Sequence, residues 1–359
     1  MGHSTLIRHS FAVLIFILIS DLLATSSIPS SQTIPPRISL TNAQLLVQKG
    51  TVTFSPWELV TSLAWSPDSQ WLAISAGSLI RLYQVPGLIE LARFRIGALT
   101  HAMAFSSDGR FLSTGSRDGL LRVWDTYDAV NLPAENLQPK LTIDAHHKGV
   151  NSLEYHPIKP LLASGGNDAV ARFWDVETGE SLGIMIGGTF AVPAIAFSPD
   201  GKTLAVVNGD VVRLREVGSE RIVGTLLAKF PIFSIAYSHN GQQIVTGSIE
   251  NAIYLWDPDM AFRTGSDVYP RPIELMGHNG NPERFTSLVW HVNYSPDDSI
   301  IASAGVDSQI GLWDSREGEL IQMLNGHRQG VTSVLFSPDG LYLASGGLDG
   351  VMRLWGIQP

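Results

Sequence analysis

The chain of 359 residues has no cysteine. That excludes disulfides, thiolate metal sites and a cysteine nucleophile. Charge is also sparse: Asp, Glu, Lys and Arg make up 16% of the residues, against roughly a quarter in an average protein. The 24 Lys and Arg are outnumbered by 33 Asp and Glu, for a net charge of −9. A phosphate backbone is held by clustered cations, so no nucleic-acid partner is expected. There is no G-x-S-x-G elbow, no H-E-x-x-H pair and no calcium-loop pattern, and no metal or cofactor is expected. Gly201-Lys202-Thr203 imitates the end of a phosphate-binding loop, but Ala196 stands where that loop needs glycine, and the stretch belongs to a strand turn rather than a helix start. No long stretch has helical periodicity. What the chain does have is 44% hydrophobic residues, 34 glycines and 20 prolines. That is enough apolar material for a sizeable core and many turns, and it excludes a disordered chain.

The start reads as an address. Arg8 precedes an unbroken apolar run from Phe11 to Ile19, Asp21 interrupts it, and Ala24-Thr25-Ser26 offers a small-residue processing site. This is the order of a secretory signal peptide over residues 1–26. The uncharged run is too short for a membrane-spanning helix. The expected product is exported, extracellular or periplasmic, with no stable membrane span; the alternative is retention through an uncleaved N-terminal anchor. Residues 27–42, rich in Ser and Pro, read as a linker.

A repeat fills residues 43–359. Aligned on the turn SPDG and its variants, units start at Ser66, Ser106, His156, Ser198, Ser238, Ser295 and Ser337, with intervals of 40, 50, 42, 40, 57 and 42. Each unit has an alternating strand, such as Val331–Phe336, then a turn in which Pro fixes φ, Asp bonds backbone amides and Gly supplies positive φ. A second strand, a Gly-rich turn and a third strand follow, as in Tyr342–Ser345, Gly346–Gly350 and Val351–Trp355, and a weaker fourth strand leads to the next unit. Period-two alternation with frequent turns is the antiparallel signature, and a period near 40 is that of a four-stranded propeller blade.

Trp-Asp closes four units, at Trp124-Asp125, Trp174-Asp175, Trp256-Asp257 and Trp313-Asp314. Gly-His stands at Gly277-His278 and Gly326-His327, with Ala145-His146 as a variant. With these marks the chain resembles the WD-repeat β-propellers. The resemblance implies an all-β fold: a single seven-bladed propeller of four-stranded antiparallel blades. It also implies a hydrogen-bonded tetrad in three units: His146, Ser164, Asp168 and Trp174; His278, Ser303, Asp307 and Trp313; His327, Ser345, Asp349 and Trp355. Such a set satisfies a buried indole N–H and a buried carboxylate together. Ser, His and Asp are also the residue types of a nucleophilic triad, but three copies at one spacing favour a structural role, and no catalytic residue is assigned. Units two and five have Thr114, Asp118, Trp124 and Thr246, Glu250, Trp256 without the His. Units one and four end in Tyr83 and Arg215 in place of Trp, and apolar packing with backbone ladders alone is expected to hold them.

The last unit stops after its third strand. The strand-like piece Asn42–Lys49 is therefore expected to supply its missing outer strand and close the ring. The implied function is a non-catalytic scaffold that docks protein or peptide partners on its top face and loops, with the propeller itself monomeric. Candidate contacts are the residues before the turn Asp: Arg117, Asn167, Ile249, Val306 and Leu348. Insertions at 127–141 and 258–290 are further candidates. Two rival readings are a propeller hydrolase or lyase with a channel site, drawing on His101, His239 or His291, and a cell-surface carbohydrate binder using Trp57, Trp71 and Trp290. The family is mostly intracellular in eukaryotes, so an export leader on short loops implies a bacterial, exported member.

Overall fold

The computed structural model describes residues 35–186, 188–219, 221–263, 271–279 and 288–358. These residues form seven four-stranded antiparallel sheets. We number them as blades in chain order and name their strands inner, second, third and outer. Inner strands run Val60–Trp65, Thr100–Phe105, Val150–Tyr155, Ile195–Phe197, Ile232–Tyr237, Val289–Tyr294 and Val331–Phe336. Each inner strand touches that of the next blade, and the first touches the last, which closes a ring around a channel. The expected signal peptide lies outside the described residues, and among those described no helix is long and apolar enough to cross a membrane.

The ring is sealed by the expected interlock. Leu46–Thr53 pairs antiparallel with Val351–Ile357, from Leu46 opposite Ile357 to Thr53 opposite Val351, with a bulge between Gln48 and Gly50. The docked N-terminal segment starts earlier than the expected linker boundary at residue 42. Ile38 is buried, its N–H donates to the Gly340 carbonyl, and Ala43 joins it in the core between blades 6 and 7.

Local chemistry explains the recurrence. In six inner-to-second turns the first Ser hydroxyl donates to an Asp or Asn two residues on, at 2.6 Å for Ser337 and Asp339, and the same hydroxyl accepts the N–H that starts the second strand. Blade 3 replaces this pair with His156, whose Nδ1 accepts the Ile158 and Lys159 N–H groups. The Asp of each Trp-Asp pair orders the next connection. Asp125 caps the short helix Thr126–Asn131 by accepting the Tyr127 and Asp128 N–H groups, and Asp175 accepts those of Glu177 and Thr178.

The apolar core lies between blades. Ile300 and Leu312 of blade 6 pack with Val334, Phe336 and Trp355 of blade 7. Val60 and Leu63 of blade 1 pack with Ala344 and Leu354 of blade 7. A buried Leu or Ile is worth about 1.5–3 kcal/mol, and here that gain exists only when the neighbouring blade is present, so the ring is one cooperative unit.

Blades 1 and 4 depart from the expectation that apolar contact and ladders alone hold them. In blade 1, Arg81 is buried, donates to Glu58 Oε1 at 2.9 Å and lies over the Phe54 ring. Tyr83 occupies the Trp place and donates to Glu90 at 2.8 Å. In blade 4, Arg215 takes the Trp place and donates to the Ile186 carbonyl of blade 3 at 2.6 Å. A buried guanidinium is tolerable only with such partners, and each lies outside the repeat positions where the tetrad residues sit.

Candidate functional site

Neighbouring strands are antiparallel, so two kinds of connection gather at each end of the ring. Second-to-third turns and the passages from an outer strand to the next inner strand share one end, called the top here. Inner-to-second and third-to-outer turns share the other.

The top loops are fixed from beneath by three tetrads. In blade 3, Trp174 Nε1 lies 2.8 Å from Ser164 Oγ, which lies 2.8 Å from His146 Nε2, and His146 Nδ1 lies 2.7 Å from Asp168 Oδ1. In the order that bonds the indole and the carboxylate, Trp donates to Ser, Ser to Nε2, and Nδ1–H to the carboxylate. Blade 6 repeats it through Trp313, Ser303, His278 and Asp307, and blade 7 through Trp355, Ser345, His327 and Asp349. Arg172 and Arg353 add a bond to the Asp of their own blade. Burial lowers the pKa of His146 and His327 despite the neighbouring carboxylates. Burial works to raise Asp168, Asp307 and Asp349, but the hydrogen bonds they accept prevail and hold all three low. Each imidazole connects a top passage to a top turn. In blades 2 and 5 the relay is reduced to Trp124 on Thr114 and Trp256 on Thr246, both 3.0 Å.

The five residues before the turn Asp all fall in top turns. Arg117 and Asn167 are exposed, and Ile249, Val306 and Leu348 are half-buried. Asn167 is the best anchored: it donates to the Lys148 carbonyl and accepts from Asn151. The sequence singled out Trp57 and Trp290 only for a carbohydrate binder and missed their apolar neighbours at this end. Trp57 is 84% exposed, and Leu99 and Phe190 are exposed too. All three lie in passages leading to an inner strand. Phe233 and Trp290, near the starts of their inner strands, line the channel mouth. An apolar residue in a passage has no periodic signal, which is why only the two Trp residues could be singled out.

Below the mouth is a cavity of about 630 Å³ lined by all seven inner strands. Glu154 is set among small side chains there: its counterparts in blades 1, 2, 4 and 5 are Ala64, Ala104, Ala196 and Ala236. No Lys or Arg lines the cavity among the described residues. Burial pushes the Glu154 carboxyl up to about 8, opposed by the one N–H it accepts, from Phe197. Burial likewise pushes His291 down to about 4, and its Nδ1 lies 3.0 Å from the Val334 carbonyl.

The two rival constellations are not assembled. His101 is at the mouth and His291 is in the wall, while His239 is at the opposite end, bonded to Asp298. Trp57 and Trp290 are at the top, but Trp71 starts the second strand of blade 1 at the other end. The insertions also divide. Residues 127–141 connect third and outer strands, at the end opposite the top, and their helix packs on the outer strand of blade 1. Of residues 258–290, the stretches 264–270 and 280–287 lie outside the described residues.

Comparison with known proteins agrees with this geometry. The family described as WD domain, G-beta repeat matches residues 49–84, 98–125, 137–175, 221–257, 273–314 and 318–356. The longest interval left between these matches, 176–220, contains the blade 4 strand Val211–Glu216 with Arg215. The chain is 29% identical over 215 residues to a WD repeat-containing protein, SL1-17, of Schistosoma mansoni, covering 59% of this chain and 64% of that protein. It is 25% identical to cell division cycle 20.1, cofactor of APC complex, of Arabidopsis thaliana, over 71% and 54% of the two chains. It is also 25% identical to transcription initiation factor TFIID subunit 5 of Caenorhabditis elegans, over 61% and 34%. The match thus spans less than two thirds of each relative's length. All three are eukaryotic, and they give the expected bacterial source no support. With six of its repeat units matched across more than half of its length, the chain belongs to the WD-repeat family.

Proposed function

We propose that this propeller is a non-catalytic docking platform that binds a protein or peptide partner on its top face. The observation that carries the reading is the set Trp57, Leu99, Phe190 and Phe233, exposed at one end of the ring and supported by the hydrogen-bonded tetrads. Exposed aromatic and aliphatic groups on a rigid base are what a protein partner uses as anchors. Arg117 offers a carboxylate a bidentate contact at the same face. Two relatives are named as a cofactor of a complex and as a subunit of an initiation factor, which accords with work done by association.

Affinity capture from the native source tests this. Wild type is expected to retain a partner that a Trp57→Ser, Phe233→Ser double variant loses, while Tyr127→Ser, exposed at the other end of the ring, still retains it. Equal capture by all three forms overturns the top-face reading. We propose further that residues 1–26 direct export, on the order of Arg8, the Phe11–Ile19 run and Ala24-Thr25-Ser26. N-terminal sequencing of the mature protein checks it: a start at Met1 on a protein that stays inside the cell refutes export.

A further inference from the structure

Glu154 uses one of its two carboxyl oxygens. Oε2 accepts the Phe197 N–H at 2.8 Å. Oε1 has no partner among the described residues, is not sealed from the channel, and belongs to the cavity wall. That wall has no Lys or Arg to meet a negative charge. The bond to the next blade does not account for a carboxyl, because Asn293 makes the equivalent bond to the Phe336 N–H as a neutral amide. A carboxyl in such a place is the costlier choice. Burial pushes it up to about 8, so at neutral pH it is protonated unless a positive charge comes to it.

His291, three blades further round the ring, is also half used. Its Nδ1 lies 3.0 Å from the Val334 carbonyl, which makes Nδ1 the protonated nitrogen and Nε2 the acceptor. Nε2 has no partner among the described residues. Phe233 and Trp290 stand at the mouth above, and aromatic faces attract cations. The cavity of about 630 Å³ has the size of a small-molecule site, roughly 300–1,000 Å³.

We propose that the channel is a ligand site for an organic cation, an ammonium or guanidinium group on a slim apolar stem, with Glu154 as its counter-charge and His291 Nε2 as a further acceptor nearer the mouth. The stem lies along the alanines level with Glu154. At neutral pH the Glu154 proton leaves to solvent as the cation enters, so one positive charge replaces another. A metal ion suits the site less, since it takes three or more His, Asp or Glu ligands and no such group occurs among the described residues. A neutral ligand would make no use of the carboxyl that distinguishes blade 3 from blade 6. The site is inside the ring and does not rest on the top-face reading.

The other titratable groups of the wall are His101, Tyr155, Tyr237, His239, His291 and Tyr294. Burial lowers His101 and His291 and raises the three tyrosines, while His239 is at the far end on Asp298. No neighbouring charge contributes to the shift of Glu154.

Calorimetric titration of the full chain with butylamine and butylguanidine, and with butanol as their neutral match, tests this. Both cations are expected to bind and butanol to fail. Binding should be roughly 25-fold tighter at pH 8.5 than at pH 6.5, as one carboxyl with a pKa of about 8 requires. At pH 6.5 it should release about one proton per ligand. Glu154→Gln keeps an acceptor for the Phe197 N–H, so it should fold, as circular dichroism verifies, yet bind the cations at least about tenfold more weakly. A five-residue peptide with a central lysine among alanines identifies the source of the group. Binding tighter than that of butylamine supports a side chain brought by a partner, and weaker binding supports a free amine. No saturable binding of either cation overturns the proposal. So does butanol binding equally well, or unchanged binding by Glu154→Gln.

Discussion

Glu154 accepts the Phe197 N–H of the next blade at 2.8 Å, as Asn293 accepts the Phe336 N–H of the blade after it at 2.9 Å. The two side chains hold equivalent places on their inner strands, and each ties its blade to the next from inside the channel. In these two blades the place supplies an acceptor to the next blade's N–H, and that role has no need of a charge. Asn293 meets that need as a neutral amide, and Glu154 meets it as a carboxyl kept neutral by its surroundings.

From this follows a pH dependence. The Glu154 pKa is raised from 4.5 to about 8 in the folded chain, so the folded state holds a proton that the unfolded state releases. Its contribution is whole below pH 4.5 and is lost as pH rises through 8. Glu154→Gln keeps the acceptor and removes the loss. It should unfold like wild type near pH 4.5 and be more stable at pH 9, by roughly 3–5 kcal/mol at most if solvent in the channel is ignored. Thermal melts at the two pH values check it, and equal shifts at both would refute it.

His291 works in the opposite direction. Its folded pKa falls from 6.5 to about 4, so the unfolded chain takes up a proton that the fold refuses. That stability is full above pH 6.5 and is lost as pH falls toward 4. His146 and His327 are also lowered and add to the acid side. His291→Asn keeps a donor for the Val334 carbonyl and should flatten the wild-type fall in urea midpoint between pH 6.5 and 4.

The tetrads and their reduced forms predict unequal penalties. Ser303→Ala leaves both the Trp313 indole and His278 Nε2 without a partner in the core, an expected loss of roughly 2–4 kcal/mol. Thr246→Val leaves only the Trp256 indole and should cost roughly 1–2 kcal/mol. Urea unfolding of both variants compares them, and equal losses would mean that the imidazole adds nothing.

Much of the architecture was legible because each blade repeats its own turn chemistry. Ser337 and Asp339, or Asp175 before its turn, act within a few residues of chain, so their spacing shows on a single strand of text. The three tetrads could be read for the same reason, since His, Ser, Asp and Trp keep register. Glu58 could not. It pairs with Arg81 from a passage outside the repeat register, and nothing near Tyr83 signals it. Trp57 was singled out as an aromatic outside the Trp-Asp register, but its end of the ring depends on strand direction.

Blade 1 offers a test of that hidden pair. Glu58→Ala strips the closest carboxylate from a buried guanidinium, leaving Glu90 at 4.0 Å. A loss of up to about 3 kcal/mol is expected, the low end for breaking a buried ion pair. Replacing both partners, Glu58→Leu with Arg81→Met, should restore part of it. A double variant worse than the single would place the role of Arg81 in its contact with Phe54 instead.

The absence of native cysteine makes the seal directly accessible to chemistry. Thr53→Cys with Val351→Cys puts the only two thiols of the chain on directly opposed residues. Oxidation should raise the unfolding temperature, by up to about 5 kcal/mol of chain-entropy effect for so long a loop, and reduction should return it. No change on oxidation would mean that the two strands do not meet.

That seal also governs how the molecule is made. Leu46–Thr53 leaves the ribosome ahead of all seven inner strands, yet its partner Val351–Ile357 follows them all. While those strands are being made the early strand has nowhere to pair. The last blade, and with it the packing of its two neighbours, can be finished only once Val351–Ile357 has emerged, so until then the nascent chain carries an unfinished edge at risk of the wrong partner.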